Sequence, residues 1–246
     1  MNKLLLILCI LLVHTKSYNF NVHIFGDSHA FFCFNNTLSG ITADEKSTFF
    51  YEKNYVSLAV PFNIYWLGSR TMFRVGRDGM AGLAIKKYGV KAGDVAVFFF
   101  GEIDVRCHIG KQRDEQHRNL NVIIEELVRK YIQTLVANRQ ECLNIKVVVV
   151  SVAPPSQHQS NPQYPWHGSL EDRVAITKLL NRTLELYALQ NNLLFLDIYS
   201  QFSMEDGSLN MALSDGIVHI HPRHNAIIKE KLIELIQLTN QPIGLY

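Results

Sequence analysis

Two apolar runs limit most narrowly what this chain can fold into: Asp94 to Phe100 (DVAVFFF) and Ile145 to Val152 (IKVVVVSV). Both are rich in β-branched or aromatic residues, are too short for helices, and show no polar–apolar alternation. Strands of that kind are covered on both faces, as in a parallel sheet packed between helices. Val22 to Phe25, Tyr55 to Val60 and Leu193 to Ile198 share this character. Helical patterns lie between them. Gly79 to Tyr88 is short and stops at Gly89. Leu120 to Asn138 carries an apolar stripe through Ile123, Ile124, Leu127, Val128, Tyr131, Ile132 and Leu135. Ser169 to Gln190 opens on a capping Ser followed by Glu171 and Asp172. Pro222 to Thr239 has its Pro near the start, where a helix tolerates it. Strands alternating with helices predict an α/β fold, a three-layer α/β/α sandwich around a five-stranded parallel sheet of flavodoxin-like type.

The chain has 246 residues, 48% of them hydrophobic, which suits one α/β domain with a sizeable core and argues against disorder. No repeat or low-complexity linker divides it, so residues 18–246 read as one domain. Residues 1–17 read as a signal peptide: Lys3, then the apolar run Leu4 to Val13, then His14-Thr15-Lys16-Ser17. That run is too short to span a bilayer, which needs about 20 residues. A cleaved leader predicts a secreted, periplasmic or luminal protein with no stable membrane insertion. An uncleaved one leaves a cytoplasmic protein. The net charge of +2 is dispersed along the chain, which argues against nucleic acid as a partner.

The cysteines Cys9, Cys33, Cys107 and Cys142 have no Cys-x-x-Cys spacing, so neither a disulfide framework nor a metal site is expected. Three remain once the leader is removed, enough for at most one disulfide. Two glycosylation triplets begin at Asn35 and Asn181. Two long loops, Gly101 to Arg118 and Ala153 to Gly168, follow strands and frame one crevice. The second holds four prolines and reads as extended.

Gly26-Asp27-Ser28-His29 follows the first strand directly, which places the Ser28 hydroxyl at the C-terminal mouth of the sheet. A serine there needs a base to become a nucleophile. Asp215-Gly216-Ile217-Val218-His219-Ile220-His221-Pro222, near the other end of the chain, offers one. These two blocks resemble those of the SGNH (GDSL) hydrolase superfamily. Gly26-Asp27-Ser28 matches its first block, and His219-Ile220-His221-Pro222 is in register with its last. The resemblance implies Ser28 as nucleophile, His219 as general base and Asp215 as the residue that orients it. His221 is the reserve base, and His224 lies at the start of the following helix. Three residues separate Asp215 from His219 where the family has two. Asp206 is the distant substitute.

The same resemblance implies an oxyanion hole made from the backbone N–H of Ser28 and that of a Gly in the second block. Gly79 is the first choice within Gly76 to Gly82, and Gly82 the next. The family's third block, Gly-x-Asn-Asp, is represented by Gly101-Glu102-Ile103-Asp104. Ile103 replaces the Asn and cannot donate a side-chain hydrogen bond. Glu102, Asp104, Arg106 and His108 crowd this strand exit. They read either as a structural ion pair pinning the loop or as contacts to a polar or anionic substrate. Lys111 and Arg113 extend the positive stretch, and Arg74 and Arg77 add two more guanidinium groups near the second block. Phe31-Phe32-Cys33-Phe34 reads as core. Tyr164-Pro165-Trp166-His167 reads as loop packing or as a sugar-stacking wall.

The resemblance therefore implies an esterase that cleaves an O-acyl ester, on a carbohydrate or another small polar substrate, without cofactor or metal. A glycan O-acyltransferase would use the same residues. A non-catalytic glycan- or anion-binding domain would keep the fold alone.

Overall fold

The computed structural model describes residues 20–34, 46–53, 56–158, 160, 162 and 165–239. The leader segment Met1 to Ser17, the triplet at Asn35 and the aromatic Tyr164 lie outside the described residues. Strand β1 (Val22–Gly26) is fully buried and leads into helix α1 (Ser28–Phe34). Strands β2 (Lys46–Lys53) and β3 (Val56–Trp66) precede helix α2 (Met72–Gly82). Strand β4 (Val95–Phe99) is followed by a wide π-helical segment, Asp104–Ile109, which runs on into helix α3 (Gly110–Glu115). Then come helix α4 (Leu120–Glu141), strand β5 (Lys146–Val150) and helix α5 (Leu170–Gln190). Strand β6 (Leu194–Leu196) and helix α6 (Tyr199–Phe202) lead to the terminal helix α7 (Asn225–Leu238).

The sheet order is β2-β3-β1-β4-β5-β6. Five strands, β3-β1-β4-β5-β6, are parallel, as the continuous apolar runs predict. The sixth, β2, is an antiparallel edge strand on β3 that the sequence reading lacks. Strand β3 also runs six residues beyond Val60, through Pro61. Proline fits there because β1 pairs with β3 only from Phe62 onward, so no N–H is needed at residue 61 on that side. The strand residues alternate between two cores. Phe25, Tyr65, Phe98 and Val149 face α2, α4 and α5. Ile24, Ile64, Val97 and Val148 face α1 and α7. This is the three-layer arrangement, and β1 lies where the strand order reverses, at the crevice that open α/β sheets offer to ligands.

Two local expectations are corrected. The helix expected at Gly79 to Tyr88 begins earlier, at Met72, and only a 3-10 turn spans Ile85–Tyr88. The loop expected at Gly101 to Arg118 is largely helical, because the π-helical segment buries Val105 and Ile109 against the core. Cys33, Cys107 and Cys142 are free thiols. Asn181, in the second glycosylation triplet, holds the Val152 backbone at both N–H and carbonyl, which commits its amide to the fold. Among the described residues no helix is long and apolar enough to cross a membrane.

Candidate active site

Strand β1 ends at Gly26 because only a glycine fits there. An added Cβ would collide with the Phe99 carbonyl and the Ala30 side chain. Asp27 then turns the chain. Its buried Oδ1 accepts the His29 N–H, and Ser28 becomes the first residue of α1. Ser28 is half-buried at the sheet mouth, 191 residues from His219 in sequence. Its hydroxyl donates to His219 Nε2 at 2.9 Å. On the far side of the ring, His219 Nδ1–H donates to Asp215 Oδ2 at 2.7 Å.

The additional residue between Asp215 and His219 closes a tight loop. Gly216 adopts φ 89°, a left-handed conformation that favours glycine. Asp215 Oδ1 accepts the N–H groups of Ile217 and His219, and the Asp215 N–H donates to the His219 carbonyl. The carboxylate thus holds both the ring and the loop that carries it. Burial alone would raise the Asp215 pKa. The hydrogen bond and charge of His219, with the two backbone donors, outweigh it and bring the value down to about 2. Burial lowers the His219 pKa below the ordinary imidazole value, and the charge of His29 adds to this. Asp215 opposes both without reversing them.

Three residues complete this arrangement: His29 and Ser156, to which sequence reasoning gave no role, and Phe32, which it read as core. Phe32 stacks on the His219 ring at 4.1 Å between centroids and 3° between planes. His29 lies on another side of the same ring, at 4.7 Å, and its Nε2–H donates to the Val218 carbonyl next to the base. Ser156, in the Pro-rich loop, donates its hydroxyl to the Ile217 carbonyl. The sequence signal for Phe32 was its spacing of four from Ser28 on a helix, which puts the two on one face; no spacing marked His29. No local signal marked Ser156.

The other predicted residues separate into distinct roles. Glu102 and Arg106 form a buried ion pair at 2.7 Å, and Arg106 also donates to the Pro165 carbonyl. Cys107 donates to the same carbonyl, and Arg173 places its guanidinium over the Trp166 ring at 4.3 Å and donates to the Ser156 carbonyl. These contacts fasten the Pro-rich loop over the crevice, with Trp166 packed on an arginine. Arg106→Met leaves the Glu102 carboxylate buried and unpaired, so an unfolding free-energy loss of about 3 kcal/mol is expected. A denaturant titration measures it. A loss below about 1 kcal/mol would mark the pair as no better than a surface one.

Asp104 is corrected as a substrate contact. It is buried, and its oxygens accept the N–H groups of Met72 and Phe73 at 2.7 and 3.1 Å, capping α2. Burial nevertheless raises its pKa to about 7. Arg77 is also corrected: it is exposed, bonded to Asp78, and lies over Phe73 on the outer surface. His221 accepts the Arg223 N–H and caps a short turn, so it does not replace His219. Asp206 is engaged by Ser208 and does not orient the base.

Gly79 is corrected as an oxyanion donor. It lies about 10 Å along α2 from the helix start, at 1.5 Å per residue. Its carbonyl accepts the Leu83 N–H, and the Leu83 carbonyl accepts from Asn138 near the C-terminal end of α4. That end leads into the start of β5 and so lies toward the end of the sheet away from the mouth that holds Ser28. The loop that does adjoin Ser28 is Leu67-Gly68. The Leu67 N–H donates to the Gly26 carbonyl at 2.8 Å, and Gly68 has φ 64°. Ile103 and His108 both line a cavity beside this loop.

No protein-family model matches the chain, and no curated protein matches it by sequence. Solved structures do match its fold. Est24, a carbohydrate acetylesterase from Sinorhizobium meliloti, superposes with a TM-score of 0.52 at 14% identity, covering 89% of this chain and 99% of that one. A protein from Bacteroides fragilis described as an acylhydrolase superposes with a TM-score of 0.53 at 16% identity, covering 89% and 85%. At such identities the likeness is one of fold, and that fold is the SGNH-hydrolase fold.

Proposed function

We propose that the chain is a serine esterase that cleaves an O-acyl ester of a polar substrate, carbohydrates included. The observation that carries this reading is the row Ser28–His219–Asp215 at the mouth of the parallel sheet, with hydrogen bonds of 2.9 and 2.7 Å. Ser28 Oγ attacks the acyl carbon while its proton passes to His219 Nε2. Asp215 keeps the other ring proton on Nδ1 and stabilises the imidazolium. The developing oxyanion is held by the backbone N–H groups of Ser28 and Gly68. Collapse expels the alcohol, which leaves with the proton from His219. Water, deprotonated by the same nitrogen, then attacks the acyl-enzyme, and the acid departs as Ser28 regains its proton. The cations that line the neighbouring cavity, Arg74, Lys111, Arg118 and Lys130, support a polar substrate over a long acyl chain.

A fluorophosphonate probe tests the reading. Wild type is expected to be labelled, and Ser28→Ala and His219→Ala are not. Ile103 favours the rival reading of a binding domain, since it supplies no third oxyanion donor. Unlabelled, well-folded wild type would establish that rival.

Phe32 fixes the plane of the base. Phe32→Ala is expected to lower kcat by about tenfold, the scale of one lost ring contact, while Ser28 still labels. An unchanged kcat would show that Asp215 and the His219 loop hold the ring unaided.

A further inference from the structure

The cavity beside the Gly68 loop has a volume of about 760 Å3, the size of a small organic ligand. It opens between α2, the π-helical segment and α4. Its walls include Ser69 and Ile103, on the loops that leave β3 and β4. Those two strands flank β1, so Ser69 and Ile103 leave the sheet on either side of the strand that leads into Ser28. The floor is apolar, made by Ile109, Ile123 and Leu127. Phe73 stands at the side with 45% of its surface exposed.

The rim is cationic: Arg74, Lys111, Arg118 and Lys130. Two carboxylates are present, and neither answers the whole set. Glu126 pairs with Arg118 at 2.7 Å, and Asp104 is turned down onto the start of α2. Lys111 reaches Glu115 at 3.7 Å. Arg74 and Lys130 have no carboxylate within ion-pair distance among the described residues. An apolar floor under a cationic rim, two of whose members make no ion pair among the described residues, matches a ligand with an anionic head on an apolar or sugar body.

We propose that this cavity binds the anionic part of the ester substrate, a phosphate, sulfate or carboxylate held by Arg74 and Lys130, with Phe73 and Ile103 against the adjoining body. The inference deepens the esterase reading and rests on it only in taking the ligand to be the enzyme's own substrate. His108, on the same wall, has its pKa lowered chiefly by burial, and the charges of Lys111 and Arg106 add to this. Ile103 acquires a use here. The residue that removes an oxyanion donor supplies apolar surface to the neighbouring cavity.

Calorimetry with phenyl phosphate, phenyl sulfate, benzoate and benzyl alcohol tests the proposal without needing turnover. Wild type and Ser28→Ala are expected to bind the three anions alike and benzyl alcohol at least tenfold more weakly. Arg74→Gln/Lys130→Gln is expected to weaken anion binding by about tenfold or more at an unchanged Tm. Exchanging Lys86 and Lys87 for Gln, elsewhere on the surface, is expected to leave binding unchanged. The order among the three anions identifies which head group the site takes. Anion binding that survives Arg74→Gln/Lys130→Gln, no anion binding, or equal affinity for benzyl alcohol would each overturn the proposal. Failure of fluorophosphonate labelling alongside intact anion binding would remove the esterase reading and leave the anion site.

Discussion

Asp215→Asn is expected to lower kcat by about 10⁴-fold, the scale set when the orienting carboxylate of such a row becomes an amide. The reason lies in how the two carboxylate oxygens are used. Oδ1 accepts the N–H groups of Ile217 and His219, while Oδ2 accepts the ring proton of His219. An amide keeps its oxygen on the two backbone donors and turns its NH2 toward Nδ1. That nitrogen must then accept, so the ring proton moves to Nε2, where the Ser28 proton has to arrive. The loop survives and the base is disabled. The pH profile supplies an independent readout. His219 works only when neutral, and burial lowers its pKa, so kcat/KM of wild type rises with pH through a value below about 6.5. Asp215 opposes that lowering, so Asp215→Ala moves the acid limb to still lower pH. A kcat for Asp215→Asn within tenfold of wild type, or an acid limb above the ordinary imidazole range, would contradict this assignment.

Ile103→Asn is expected to act in the opposite direction. Loss of one oxyanion donor typically lowers rates by about 10²–10³. The position that carries a donor in the family pattern is held here by an alkyl side chain on the cavity wall. If an amide there donates to the oxyanion as the family pattern implies, kcat should rise by up to about 10² on a small neutral ester such as 4-nitrophenyl acetate. If Ile103 also packs against an anionic substrate, the same change weakens phenyl phosphate in calorimetry. A variant that folds normally and gains nothing in kcat would mean that the vacant donor place lies elsewhere in the crevice.

Much of the fold was legible because strand and helix patterns are local. The runs at β4 and β5 carry their burial in their composition, and Ser169 announces the start of α5 by a capping box that the structure contains. The edge strand β2 was missed because its role depends on β3, which continues through a proline that normally ends such a run. Helix α2 was started too late because its N-terminus is fixed by Thr71 together with Asp104, and the latter lies about thirty residues away in sequence.

The site divides in the same way. Ser28, His219 and Asp215 were named because each lies in a short motif, and the extra residue before His219 is accommodated by a glycine the sequence displays. Gly79 was misassigned because glycine-rich spacing cannot say which end of a helix faces the sheet mouth. Gly68 follows Leu67, whose N–H bonds the Gly26 carbonyl at the end of the strand that leads into Ser28, a contact between separate segments. The stacking of Phe32, the support from Ser156 and the cation-rimmed cavity all join residues from separate elements.

The sequence by itself determined the layered α/β class, the strand-end serine and the late acid–base block, since these follow from periodicity and motifs within a few residues of one another. Only the tertiary structure decided which glycine adjoins the serine, which charges are pinned into the fold and which stand at the rim of the cavity. Those outcomes depend on where distant segments meet, and a hydrogen bond spanning 191 residues exists only once the sheet has brought its two ends together.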